Sequence, residues 1–364
     1  MDVEEVSAVM EAPPVSNAAT KRALLILNGI LLVIGSCGAP LSMRLYFTHG
    51  GKRVWLISFL QTSCWPLISF ILFVIYLRRR YITKTAAAAA VIGPRLLIGA
   101  SVLGTVTGLE CFCFSYAVSR LPVSTSALIF STQLVFNAGF AFVLVKQKFT
   151  AFSINAVVLL SVGAGMLALH SSSDRPDGES NEEYITGFVL CASAAVLDGL
   201  IFPLVELNYK NSKQEISYAL VLQYQMVLCI FATLFSAVAS LVNNDFQAIS
   251  REAREFEVGE TKYYMTLVCI SVITLCYFMG FVGVIFCSSS LLSGIMIAVS
   301  LPLTEMLAVI FYHEKFQADK GVALALSLWG FISYFYGEHK HSNIVQNPTP
   351  ETEISHSSTP ILNV

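Results

Sequence analysis

Four acids lie inside apolar stretches of this 364-residue chain: Glu110, Asp198, Glu206 and Glu305. Glu110 falls in the middle of TGLECFCFSY (107–116). A carboxylate at the centre of a bilayer costs about 2.5 kcal/mol or more on insertion scales, so one that is kept there is a candidate for carrying a proton or pairing with a cation. The bland alternative is an acid held protonated, or paired, for structure alone. Glu206 lies close to the end of its stretch, where it reaches water. Glu305 follows Pro302 by three residues, and a proline at that position leaves the Ala298 carbonyl without its helical partner. Interrupted helices of this kind mark transport sites. Glu110 is the first expectation for a proton carrier and Glu305 the second.

Amides and hydroxyls form a second set. Ser126, Gln133 and Asn137 are separated by 7 and 11 residues, a spacing that places them on one helix face. Adding 167 to each number gives Ser293, Ser300 and Thr304, again polar and again on one face. Gln61 and Trp65 lie one turn apart beside Pro66, and Gln223, Tyr224 and Gln225 cluster in another apolar stretch. An amide can meet a nitrogen heterocycle at two points, donating to a ring nitrogen and accepting from an amino group. Trp65 and Tyr224 offer rings on which a flat base stacks. The competing reading for the amides and hydroxyls is hydrogen bonding between membrane helices, and for Trp65 it is packing against lipid or core. Gln133, Asn137, Trp65, Gln223, Tyr224, Ser300 and Thr304 are the expected substrate contacts.

The elements that position these groups are read from composition. Hydrophobic residues make up 55% of the chain and charged residues 13%, against about 25% charged in soluble domains. Mean hydropathy is +0.69. The chain reads as an all-α integral membrane protein in which ten apolar runs each approach the length that crosses a bilayer: 23–45, 54–77, 94–118, 123–145, 151–170, 185–207, 217–241, 263–286, 289–312 and 319–337. Residues 1–22 and 338–364 read as disordered tails, 171–184 as a linker loop and 243–262 as a surface loop. The nine cysteines all fall in apolar runs and read as small buried hydrophobes, with neither a disulfide framework nor a metal site. A net charge of −2 gives no nucleic-acid signal, and no cofactor or oligomeric state is implied.

LVKQKFTAFSINAVVLLSVG (144–163) aligns with FYHEKFQADKGVALALSLWG (311–330), and PLSMRLY (40–46) with PLVELNY (203–209). The matches divide the chain into a first five-helix repeat, 23–170, and a second, 185–337. Five spans is an odd number, so the second half enters the membrane inverted, an architecture that binds substrate near the midplane between its halves. Gly104 and Gly108 lie roughly opposite Glu110 on their helix, a small-residue pair suited to close packing. The basic loop RRRYITK (78–84) with Lys21 and Arg22 sets both termini on the cytoplasmic side.

HEKFQ (313–317) lacks the second histidine of a zinc-protease helix, and no phosphate loop is present. An enzyme or an ATP-driven pump is therefore disfavoured. RLYFTHGGKRVWLISFLQT, LPVSTSAL, FPLVELNYK, GVIFCSSSLLSGI and LAVIFYHEKFQADKGVALALSLWGFISYFYGE strongly resemble the plant purine permease family, within the drug/metabolite transporter superfamily, over roughly 24–338. The resemblance implies a ten-helix inverted repeat and proton-coupled uptake of adenine, cytokinin bases and other small heterocycles, with the plasma membrane as the expected residence. An alkaloid or pyridine-type importer, and a receptor or scaffold that binds without moving its ligand, are the alternatives.

Overall fold

The computed structural model describes residues 16–78, 81, 91–121, 126, 129–130, 132–147, 149–169, 181–312 and 318–346. The described residues are helical throughout their regular structure: α1 (Ser16–Thr48), α2 (Val54–Thr62), α3 (Trp65–Arg78), α4 (Pro94–Arg120), α5 (Gln133–Val145), α6 (Ala151–Leu169), α7 (Asn181–Lys210), α8 (Tyr218–Val242), α9 (Asp245–Glu255), α10 (Glu260–Cys287), α11 (Ser290–Tyr312) and α12 (Ala318–Gln346). Among the described residues, six stretches are long and apolar enough to cross a membrane: Ala19–Thr48, Val54–Leu77, Pro94–Arg120, Glu182–Lys210, Tyr218–Val242 and Glu260–Cys287. Gln133–Val145, Ala151–Gly163, Ser290–Thr304 and Leu324–Gly337 are shorter apolar helices. Large apolar side chains such as Ile26, Ile30, Phe70, Val102, Val238 and Met265 point outward, as a lipid-facing surface requires. The protein is a multi-pass integral membrane protein.

Helix α1 lies along α10 and also meets α11; α4 lies between α7 and α8; α5 packs on α7, α6 on α12 and α2 on α8. Small residues make the closest of these approaches. A side chain at Gly35 would run into the Tyr277 backbone, and one at Gly280 into Leu32. Gly104 and Gly108 likewise seat α4 against Leu228 and Ala232 of α8. Membrane helices lack a hydrophobic drive toward one another, so backbone proximity and dispersion must supply the attraction.

Several elements differ from the sequence reading. The run 54–77 is interrupted by a turn at Ser63–Cys64, between α2 and α3. By contrast α1, α7 and α11 run through Pro40, Pro203 and Pro302 without a break. A proline removes one hydrogen bond, and neighbouring groups in a bundle compensate. The Ser300 carbonyl, distinct from the Ala298 carbonyl that Pro302 leaves without its helical partner, accepts from Thr304 Oγ1 and Cys37 Sγ at 2.7 and 3.6 Å. Residues 16–22, read as tail, already belong to α1, and α12 continues past Gly337 to Gln346. The region 243–262, read as a loop, contains α9, whose Ala248, Glu252 and Ala253 are buried on one face. The remainder of both tails, most of the RRRYITK loop and 171–180 lie outside the described residues.

Candidate functional site

A cavity of about 110 Å³ opens where α1, α2, α4, α10 and α11 converge. Its walls are largely apolar and aromatic, with Phe114, Phe130 and Phe278 among them. Set into these walls are Gln61, Glu110, Ser126, Tyr277, Thr304 and Arg44. An apolar enclosure with a few converging polar groups is the form that small-molecule sites take.

The polar groups are held from behind. Gln61 Nε2 donates to Ser115 Oγ at 2.7 Å and to the Cys111 carbonyl at 3.4 Å, so α2 fixes its amide against α4. Glu110, one residue before Cys111, is 8% exposed. Asp198 of α7 is also buried and lies within charge–charge reach of Glu110. Tyr277 of α10 lines the cavity and donates its hydroxyl to Asp198 Oδ2 at 3.2 Å. Its ring is wedged edge-on by Phe278 at 5.5 Å and tilted against Phe281 at 5.9 Å. The two acids therefore come from α4 and α7, and the phenol beside them from α10.

One end of the cavity is capped. Met43 and Arg44 of the wall precede Tyr46, whose hydroxyl donates to Glu252 of α9 at 3.0 Å. Glu252 also accepts from the Lys52 N–H at 2.6 Å and from Tyr263 Oη at 3.2 Å. Arg53 pairs with Asp245 at 3.4 Å. Burial pushes the Asp245 carboxyl up from its usual range, and the adjacent Arg53 charge pulls it partly back. Ala253 and Phe256 pack in one cluster with Ala39, Met43 and Tyr46, joined by Phe114 and Val118 of the cavity wall. The 49–53 turn and α9 thus close the bundle over the site.

Residues 23–343 match the family model described as purine nucleobase transmembrane transport. The chain belongs to the purine permease family. Among its relatives in Arabidopsis thaliana, purine permease 3 is 50% identical over 93% of this chain and 99% of its own. Purine permease 2 is 50% identical over 88% and 93%, and probable purine permease 5 is 34% identical over 89% and 88%. These are transporters rather than enzymes. One crystal structure shares the fold, with a TM-score of 0.59 at 13% identity over 86% of this chain and 98% of the other.

In this purine permease family member the sequence-derived residues separate into two groups. Glu110 and Thr304 line the cavity, with Gln61 and Ser126. Ser300 lies one turn before Thr304, buried, donating to the Met296 carbonyl at 2.9 Å. Gln133 and Asn137 are 2% and 0% exposed at a helix crossing. Asn137 Nδ2 donates to the Ser290 carbonyl at 2.9 Å, and its amide fills the space beside Gly294. Gln223 accepts from the Ile92 N–H at 3.1 Å, fixing the entry to α4. Tyr224 is fully buried, accepts from Asn208 at 3.1 Å and meets Tyr209 edge-on. Trp65 packs with Ile68, Leu222 and Cys229, away from the cavity lining. The side chain of Glu305 lies outside the described residues. Tyr277, Phe114, Phe278 and Arg44 complete the site and were not expected from the sequence. An aromatic in an apolar run resembles ordinary core until a neighbouring acid is placed against it.

Proposed function

We infer that this purine permease is a proton-coupled secondary transporter that takes up purine nucleobases and related heterocycles such as adenine and cytokinin bases. The observation that carries the reading is Glu110, an intramembrane carboxyl on the wall of an aromatic-lined cavity. The aromatic faces suit a flat heterocycle, and Gln61, Ser126 and Thr304 supply hydrogen bonds at its edges. Glu110 exchanges a proton with one side and then the other as access alternates. An inverted repeat of two five-helix halves, 23–170 and 185–337, provides that alternation. It is supported by the helix partners: α1 against α10 is matched by α4 against α7, and α5 against α7 by α11 against α1. Each pair maps onto the other when the five spans of one half are exchanged for those of the second. With both termini cytoplasmic and the protein in the plasma membrane, the cap of α9 faces outward.

The test is uptake of labelled adenine into yeast expressing the chain, with cytokinins, pyridoxine and alkaloids as competitors. Accumulation that rises as external pH falls and disappears with a protonophore is expected. Binding without accumulation would make the protein a receptor, and stronger competition by pyridoxine or alkaloids would change the substrate class. Tags at either terminus should stay protected from reagents outside intact cells.

A further inference from the structure

The geometry points to Asp198 and Tyr277 as a second proton-sensing unit of the site, in which the protonation state of Asp198 decides whether the Tyr277 hydroxyl offers the substrate an acceptor or a donor. This rests on the transport reading above and extends it beyond Glu110. Tyr277 is the cavity-lining member, and Asp198 stands behind it as a positioning residue.

A phenol has one hydrogen to give. An ionised carboxylate only accepts, so with Asp198 charged the hydroxyl points to Oδ2 at 3.2 Å. What remains toward the cavity is oxygen lone pairs. A proton taken up by Asp198 gives that acid a donor of its own, directed at the phenol oxygen. The Tyr277 hydrogen is then free to turn into the cavity and bond a ring nitrogen of the substrate. One proton is bound from solvent, no covalent bond changes, and the donor character of the wall reverses. Phe278 and Phe281 hold the ring in place while the hydroxyl rotates.

The surroundings make the switch responsive. From α4, Glu110 and Cys111 interact electrostatically with Asp198, as does Tyr277 from α10. Cys229 of α8 adjoins Cys111, and Arg44 of α1 lies on the same cavity wall. Helix α5, which packs on α7, carries no titratable residue. On α11 the acid is Glu305, whose side chain is not described. Two carboxyls within charge–charge reach titrate as a pair, so a proton gained at one alters the other. The Glu252 cluster offers a contrast. There Tyr46 and Tyr263 also donate to an acid, but Glu252 accepts from both and from the Lys52 N–H, and neither phenol lines the cavity.

The experiment is apparent KM for adenine against external pH in yeast expressing wild-type chain, Asp198→Asn, Tyr277→Phe and the double variant, with surface expression measured for each. Wild-type KM should fall by about tenfold between neutral and acidic medium, the scale of one hydrogen bond gained. Tyr277→Phe should give a flat KM near the wild-type neutral-pH value. Asp198→Asn should also be flat, but near the acidic value, because its amide N–H takes the place of the protonated acid. The double variant should match Tyr277→Phe alone. A wild-type slope in either expressed variant, a flat wild-type profile, or effects that multiply in the double variant would each overturn the proposal. If Asp198→Asn fails to reach the membrane, Tyr277→Phe still decides. If the wild-type chain takes up no substrate at all, the transport reading fails first and carries this one with it.

Discussion

The cavity wall carrying Glu110 and Gln61, beside the half-buried Tyr277, and the crossing that holds Gln133 and Asn137 both present buried polar side chains. They differ in what stands opposite. Around Asn137 it is glycine: Gly294 leaves room for the amide, and a side chain at Gly199 would meet the Asn137 and Gln133 backbones. Space is removed there, and the amide donates to a backbone carbonyl on α11. Around Glu110 the cavity is lined by Phe114, one turn further along α4, and by Phe278 of α10 and Ile297 of α11, which enclose the space instead of filling it. The comparison teaches that a polar stripe on a membrane helix marks a contact, and that the residue opposite determines whether the stripe meets protein or borders a cavity.

Variants that disturb one region and spare the other sharpen the distinction. Glu110→Gln should have the largest effect. Uphill adenine accumulation should drop by about 100-fold, the lower end for losing a proton-transferring side chain, while exchange of labelled for unlabelled adenine continues. Unchanged accumulation and pH profile would make Glu110 structural. Gly199→Val should act on the other side of the comparison. Overpacking costs about 1–3 kcal/mol, visible as a lower melting temperature in detergent with the KM of surviving protein unchanged. Gln61→Leu strands the Ser115 hydroxyl and removes an edge contact, so KM should rise by about tenfold, or roughly 1.4 kcal/mol. Asn137→Ala should be mildest, losing about 0.6 kcal/mol of stability, typical of a hydrogen bond between membrane helices. Its KM should stay within about twofold. A tenfold rise there would move Asn137 into the substrate site and erase the distinction.

Particular residues show how far the sequence could be read. Glu110 stood out because burying an acid in an apolar run is costly wherever the neighbours are. Gly104 and Gly108 announced a close helix contact by spacing, and α8 occupies it. Helix α9 was legible in principle: Ala248, Glu252, Ala253 and Phe256 recur at helical spacing, but its charges masked the pattern. Tyr277 carried no local signal. Its partner is Asp198, 79 positions away in the chain, and no periodicity within one helix reports a hydrogen bond between two.

Composition and run length determined by themselves that this chain lives in a bilayer and that its backbone is helical, because apolar surroundings offer unpaired peptide groups no other partners. The internal matches suggested two halves, and the burst of acids inside apolar runs named the groups whose presence needs a reason. Tertiary structure alone decided which of the polar stripes face a cavity. The Gln133–Asn137 stripe and the Glu110 face obey the same periodicity, and the sequence weighs them alike. What separates them is the volume of the residues across the gap, glycine at one and an aromatic ring at the other. That is a property of how helices from distant parts of the chain come together.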